Sequence, residues 1–158
     1  MCGGPKVTDW KKNTSGCRSL EQAISLLEDN GIILPEDVEI VIYDDELPPD
    51  VLATYLLPSR CSKDTHYSWA SLLLNRYGQV PIKVRPCVFE SDEQIIAVVS
   101  HELHELASLR EYFANNETVS ATRILSLIST DTRIKNFHCL AWQHADQAVL
   151  EFRDRHHD

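Results

Sequence analysis

The stretch that decides the fold is SDEQIIAVVSHELHELASLREYF, residues 91–113. Ser91 and Gln94 have the spacing of a capping box, in which two side chains satisfy backbone N–H groups at the start of a helix. Apolar residues then recur every three or four positions, as on the buried face of an amphipathic helix. They are Ile95, Val99, Leu103, Leu106, Leu109 and Phe113. The pattern predicts one long helix that packs against the rest of the protein.

The segments around this helix predict strands as well as helices. Alternating β-branched residues in VEIVIY, residues 38–43, favour a strand. Residues 66–75 and 81–89, separated by a turn at Tyr77-Gly78-Gln79, are interpreted as a hairpin at the edge of the sheet. Further helices are predicted over residues 19–30, 50–57, 118–129 and 137–154. We therefore expect an α+β fold, with a small mixed or antiparallel sheet of about three strands packed against a long central helix and further helices.

Length and composition limit the classes of protein. A chain of 158 residues suits a single domain. We expect a flexible lead-in over residues 1–17, where Gly, Lys, Asn and Ser are frequent, and one domain over residues 18–158. No apolar run approaches the roughly 20 residues that span a bilayer, so membrane insertion is not expected. A net charge of -9 disfavours nucleic acid as a partner. The chain is expected in the cytoplasm, or as a module of a larger secreted protein.

The cysteines do not predict a zinc site of their own. There are 5 of them, widely spaced, and no two form a C-x-x-C pair. An odd number without such spacing suggests neither a disulfide framework nor a structural zinc site built from cysteine. We expect them to be mostly reduced packing residues.

The middle of the long helix carries HELHE, residues 101–105. Side chains four positions apart lie on one face of a helix, so His101 and Glu105 can bind one ion, and imidazole and carboxylate are both ligands of Zn²⁺. Glu102 would lie beside the ion and accept a proton from water bound there, as a general base. His104 points away from the apolar face and is expected to be solvated. His101 also lies away from its centre, so another element must cover the site.

A third ligand has to come from elsewhere in the chain, because zinc sites have at least three protein ligands. The candidates are His66, Glu111, His138, His144, Asp146, His156 and His157. On a helical wheel His138 lies close to Ala145, near the centre of the apolar face of the last predicted helix. We predict that His101, Glu105 and His138 bind Zn²⁺ and leave one position for water.

Other interpretations of these residues remain open. HELHE suits the charged turn of a surface helix, with Glu105 paired to Arg110 or to another helix. His138 suits a core imidazole that hydrogen-bonds a backbone carbonyl. The protein would then be an acidic, non-enzymatic binding protein, such as an immunity protein or an adaptor, whose negative surface masks a basic partner. A third interpretation keeps the metal in a hydrolase of amides or small molecules, or in a site that has lost activity.

The long helix resembles the active-site helix of the zincin metallopeptidases, which carries H-E-x-x-H and follows a sheet. His101 and Glu102 match this motif, and Glu105 stands where the family has its second histidine. The resemblance implies a zinc-dependent peptidase with His101 as ligand and Glu102 as catalytic base. It implies a peptide or protein substrate that pairs with the edge strand of the hairpin, while Tyr67 or Tyr112 steadies the oxyanion. The chain is also similar to small zincin-like domains at the C-termini of bacterial polymorphic toxins.

Overall fold

The computed structural model describes residues 10–43, 47, 51–56, 60–131 and 135–156. Within these residues the fold is α+β, as the sequence predicts, and five helices accompany five short strands. The helices are α1 (Leu20–Asp29), α2 (Trp69–Leu73), α3 (Asp92–Ala114), α4 (Ala121–Ile128) and α5 (Phe137–Arg155). The strands are β1 (Val38–Ile42), β2 (Ala53–Thr54), β3 (His66–Tyr67), β4 (Val80–Val84) and β5 (Val119–Ser120).

The predicted helix starts are confirmed at α1 and α3. The Ser19 side chain accepts a hydrogen bond from the Gln22 N–H, and the Gln22 side chain accepts one from the Ser19 N–H. At α3, Ser91 accepts a hydrogen bond from the Gln94 N–H. These polar side chains satisfy N–H groups that the first helical turn cannot pair internally.

The central strand of the main sheet is β4. The order is β1-β4-β2, with β1 parallel and β2 antiparallel to β4. A second sheet pairs β3 with β5. Each inward-facing residue of β4 is fully buried, so this strand carries the middle of the core.

The predicted hairpin is wrong. Residues 66–75 form only the short strand β3 before the chain turns into α2, where Ser68 and Ser71 make a capping box. This local capping outweighs the β-propensity of the aromatic residues beside it. The second predicted strand ends at Val84, and a 3₁₀ helix over Pro86–Glu90 follows.

The predicted helix over residues 50–57 is also wrong, although residues 50 and 57 themselves lie outside the described residues. Ala53 and Thr54 pair instead with Val84 and Lys83 as strand β2. The edge of β4 offers backbone hydrogen bonds to this segment. The sequence of the segment itself does not predict that pairing.

The long helix α3 is buried on every side in its first half. All eight residues from Ile95 to Glu102 are buried, including His101 and Glu102. α3 contacts α5 most extensively and also contacts the 3₁₀ helix, α1 and β2. The two helices run antiparallel, since Glu105 contacts His138 near the start of α5 while Glu93 pairs with Arg153 near its end. The predicted covering element over His101 is therefore α5.

The first described residues contact the start of α3. Asn13 donates to the Phe89 carbonyl and accepts from the Asp92 N–H, at 3.1 and 3.0 Å. Residues 1–9 of the expected lead-in lie outside the described residues, so its boundary stays a prediction. Among the described cysteines, Cys17, Cys61 and Cys87 are free, as expected of mostly reduced cysteines, whereas Cys139 is disulfide-bonded. The described helices include none with both the length and the apolar character that a bilayer requires.

Candidate metal centre

Two helices position the predicted ligands. His101 and Glu105 occupy successive turns in the middle of α3, and His138 is the second residue of α5. The start of α5 is fixed by Asn136, which accepts a hydrogen bond from the Cys139 N–H. The same side chain donates to the carbonyls of Ser126 and Ser129 at the end of α4, 3.0 Å from each. These hydrogen bonds set where His138 meets α3.

The three predicted ligands meet. Glu105 Oε2 lies 3.3 Å from His101 Nε2 and 3.0 Å from His138 Nδ1. One ligand atom from each residue lies within 4.8 Å of the other two. Ligands about 2.1 Å from a tetrahedral zinc ion are separated from one another by about 3.4 Å. The two shorter separations are therefore close to the edges of a zinc coordination tetrahedron.

Burial leaves one nitrogen of His101 without a hydrogen bond. The His101 side chain is 4% exposed and that of Glu105 is 6% exposed. Among the described residues, His101 Nε2 has no hydrogen-bond partner. Burial lowers the pKa of His101 to about 4, although the charge of Glu105 opposes the shift, so the ring is neutral near pH 7. A buried polar atom without a partner costs about 1–3 kcal/mol, and a ligand at Nε2 removes this cost.

Glu102 contacts the other nitrogen of His101. Its Oε1 lies 3.3 Å from His101 Nδ1. In the tautomer whose Nδ1–H donates to Glu102, the Nε2 lone pair faces Glu105 Oε2, and a cation between them relieves the repulsion. Carboxylates commonly orient metal-binding histidines in this way. Burial, together with the charge of Glu105, raises the pKa of Glu102 well above its ordinary value of 4.5.

One contact opposes metal binding by His138. The Trp142 indole stacks on His101, with 4.0 Å between ring centroids, and its N–H donates to His138 Nε2 at 3.2 Å. An indole can only donate, so Nε2 carries the lone pair and Nδ1 carries the proton. Metal binding through Nδ1 moves the proton to Nε2, where it would face the Trp142 N–H. This hydrogen bond therefore has to change when His138 binds an ion through Nδ1.

A tyrosine that the sequence did not suggest reaches the cluster. The Tyr55 hydroxyl donates to Glu105 Oε1 at 2.6 Å in a buried setting. Burial, followed by the charge of Glu105, raises the pKa of Tyr55 well above 10. Of the tyrosines considered from the sequence, Tyr67 bonds the Ser62 N–H and Tyr112 packs against Phe137. Sequence reasoning does not identify Tyr55, because its segment is interpreted as a helix and lies 50 positions from Glu105.

The second histidine of the motif is not fully solvated, contrary to expectation. His104 is partly buried and stacks on His144, with ring centroids 4.5 Å apart. Burial lowers its pKa, and His144 and His101 add to the shift. Arg110 pairs with Asp37 rather than with Glu105. Of the candidate third ligands within the described part of the chain, which excludes His157, only His138 joins the cluster with His101 and Glu105.

Comparisons of the chain with models of protein families, with curated proteins and with solved structures found no match. The resemblance to zincins stays a prediction.

Proposed function

We propose that the protein is a zinc-dependent hydrolase, and specifically a peptidase, in which His101, Glu105 and His138 hold the ion. The observation that carries the proposal is the convergence of these side chains from two helices at separations of 3.0 and 3.3 Å. The buried Nε2 of His101, which has no partner among the described residues, supports it. Two imidazoles and one carboxylate are a donor set that suits zinc and leaves one position open.

The proposed chemistry assigns a proton to Glu102. When bound, zinc polarises a carbonyl and lowers the pKa of water. Glu102 accepts a proton from the attacking water at a carboxylate oxygen and returns it to the leaving nitrogen. To do so it must release its 3.3 Å contact with His101 Nδ1. The reaction would take place in a nearly dry site, because Glu102 and both α3 ligands are at most 7% exposed.

The substrate would approach from the side of α5. The His138 side chain is 21% exposed, against 4% and 6% for the ligands on α3. The hairpin expected to pair with an extended substrate does not exist, so the choice of peptide as substrate rests on the resemblance to zincins. We propose the cytoplasm or a larger secreted protein, such as a toxin, as the setting.

The test begins with metal content. We expect about one zinc ion per chain, removed by a chelator and lost in His101→Ala and His138→Ala. His144→Ala is the matched control, because His144 is an exposed histidine of α5 outside the cluster. Glu102→Gln should keep the zinc and abolish cleavage of a peptide library. A folded wild-type protein that neither contains zinc nor takes it up would overturn the proposal.

The Trp142 hydrogen bond favours a second candidate, an acidic binding protein without a metal. Trp142 donates a hydrogen bond to His138, and Tyr55 donates one to Glu105. Both residues thus have hydrogen-bond partners without an ion, as in a structural polar network. In this case the negative surface would bind a basic protein. Glu102→Gln would then change stability alone, and a basic partner would be recovered in stoichiometric amount whether or not zinc is present.

A further inference from the structure

The hydrogen bond from Tyr55 gives the two carboxylate oxygens of Glu105 different partners. Oε1 accepts the Tyr55 hydroxyl at 2.6 Å, while Oε2 faces His101 and His138. The pair is buried, so water does not compete for Oε1. A phenol donating to a carboxylate forms a short, charge-assisted hydrogen bond. Oε1 is therefore occupied, and Oε2 is the oxygen available to an ion.

Local structure holds Tyr55 in place. Ala53 and Thr54 pair with β4, which brings the next residue over α3. The Thr54 hydroxyl donates to the Leu56 carbonyl at 2.8 Å and accepts from the Leu56 N–H at 3.1 Å. Such a turn, closed by a threonine side chain, fixes the backbone on both sides of Tyr55. The tyrosine is thus directed at Glu105 by the strand and by Thr54.

We propose that Tyr55 is a positioning residue that makes Glu105 a single-oxygen ligand and thereby favours zinc over larger divalent ions. The inference rests on the proposed zinc site. Zinc in a four-coordinate site takes one oxygen from a carboxylate, whereas larger ions that prefer oxygen accept more ligands and often both oxygens. Occupying Oε1 withholds the second oxygen from such ions.

Replacement of Tyr55 by phenylalanine isolates the hydroxyl. Tyr55→Phe keeps the ring and frees Oε1, so Glu105 can rotate or bind through both oxygens. Loss of a residue that orients a ligand typically lowers metal affinity 10–100-fold. We expect a loss of this size for zinc, a smaller loss for Mn²⁺, and therefore a lower ratio of zinc to manganese affinity.

The measurement is a competition titration of each metal against a chromophoric chelator, with folding checked by urea unfolding in excess chelator. Tyr67→Phe is the matched control, because its hydroxyl is also hydrogen-bonded, accepting from the Ser62 N–H, but lies outside the cluster. We expect it to leave both affinities within about twofold. A role limited to stability would lower the unfolding midpoint and leave the ratio of the two affinities unchanged.

A second variant keeps the inference testable if Tyr55→Phe does not fold. Thr54→Val retains the β-branched shape and removes the hydroxyl that holds the turn. We expect a smaller fall in zinc affinity and the same direction of change in the metal ratio. Combined with Tyr55→Phe it should add little, since both changes act through one contact.

The outcomes separate the inference from the proposed function. If the wild-type protein binds no zinc, the proposed function fails and the inference fails with it. If the wild-type protein binds zinc and the folded Tyr55→Phe variant has the same affinities and the same metal ratio, the inference is overturned and the zinc site stands. If Tyr55→Phe is unfolded and Thr54→Val leaves affinities and ratio unchanged, the inference is likewise overturned.

Discussion

At the scale of single residues, His101 connects stability to pH. Its pKa is about 4 in the fold, because of burial, against an ordinary value of 6.5. The unfolded chain therefore binds a proton below pH 6.5 that the folded protein does not bind until near pH 4. The neutral ring contributes its full stability above pH 6.5, and this contribution falls as the pH drops from 6.5 towards 4.

We therefore expect the metal-free protein to lose about 2 kcal/mol of unfolding free energy between pH 7 and pH 5 through His101. The measurement is urea unfolding in excess chelator at both values. His101→Gln, which cannot take up the proton, should show a smaller loss over the same interval. Glu102 has the opposite sign, since burial raises its pKa, but it is present in both proteins. Equal losses in the two proteins would contradict the prediction.

A second prediction at this scale concerns the indole N–H of Trp142, which opposes ligation of His138 through Nδ1. Trp142→Phe keeps an aromatic ring against His101 and removes that donor. We expect zinc affinity to rise severalfold, because the cost of displacing a hydrogen bond of about 1 kcal/mol disappears. The same titration would measure it, with Trp69→Phe as a control in α2. Unchanged or weaker binding would show that the N–H does not oppose the ion.

The residues of the site differ in how far the sequence predicts them. His101 and Glu105 follow from helical spacing alone, and His138 from its place on an apolar face. Tyr55 and Trp142 were not predicted as partners of the cluster. Their roles depend on which strand fills the edge of β4 and on which turn of α5 lies over His101, and both are set by tertiary packing.

At the scale of elements, the N-cap of α5 contributes both to the stability of the fold and to the position of the proposed metal ligand His138. Asn136 satisfies the first turn of α5 and holds the end of α4. Asn136→Ala should cost about 1–2 kcal/mol of unfolding free energy, which is typical for loss of an N-cap. It should also weaken zinc binding, because His138 lies two positions further along. Urea unfolding and zinc titration measure the two effects.

The matched control is another cap. Ser19→Ala removes the corresponding side chain from α1, which does not contribute to the cluster. We expect a similar loss of stability and no change in zinc affinity. If both variants changed zinc affinity equally, a general loss of stability would explain the effect. The cap of α5 would then have no specific role in positioning His138.

The elements that the sequence predicts well are those with local signals. Capping residues and long periodic stretches located α1, α3 and α5. The failures at β2 and α2 occurred in short segments, where a strand edge or a single capping box decided the conformation. The apolar periodicity of α3 predicts a polar side that faces solvent. The first half of the helix has no such side, because every residue from Ile95 to Glu102 is buried.

At the scale of the whole molecule, α3 and α5 are joined by polar contacts at two levels. Arg153 forms a two-point ion pair with Glu93, at 2.6 and 3.0 Å, and His138 contacts Glu105 near the other end of the helix pair. An ion at the second contact would bind only the assembled pair. Zinc at 100 times its Kd should therefore raise the unfolding free energy by about 2.7 kcal/mol.

Chemical unfolding at several zinc concentrations tests this linkage. His138→Ala should be insensitive to zinc, while Arg153→Ala should keep the zinc-dependent increase from a lower starting stability. Zinc dependence that persists in His138→Ala would place the ion elsewhere.

The residues that meet at Glu105 come from widely separated parts of the chain. Tyr55 follows a strand that has no partner until β4 is made, and His138 belongs to the last helix described. Once α3 has left the ribosome, Tyr55, His101 and Glu105 have all been synthesised, but His138 has not. The cluster cannot be completed until α5 has emerged and folded back. A chain that stops before α5 would consequently lack His138, and the cluster would form only after α5 had been made.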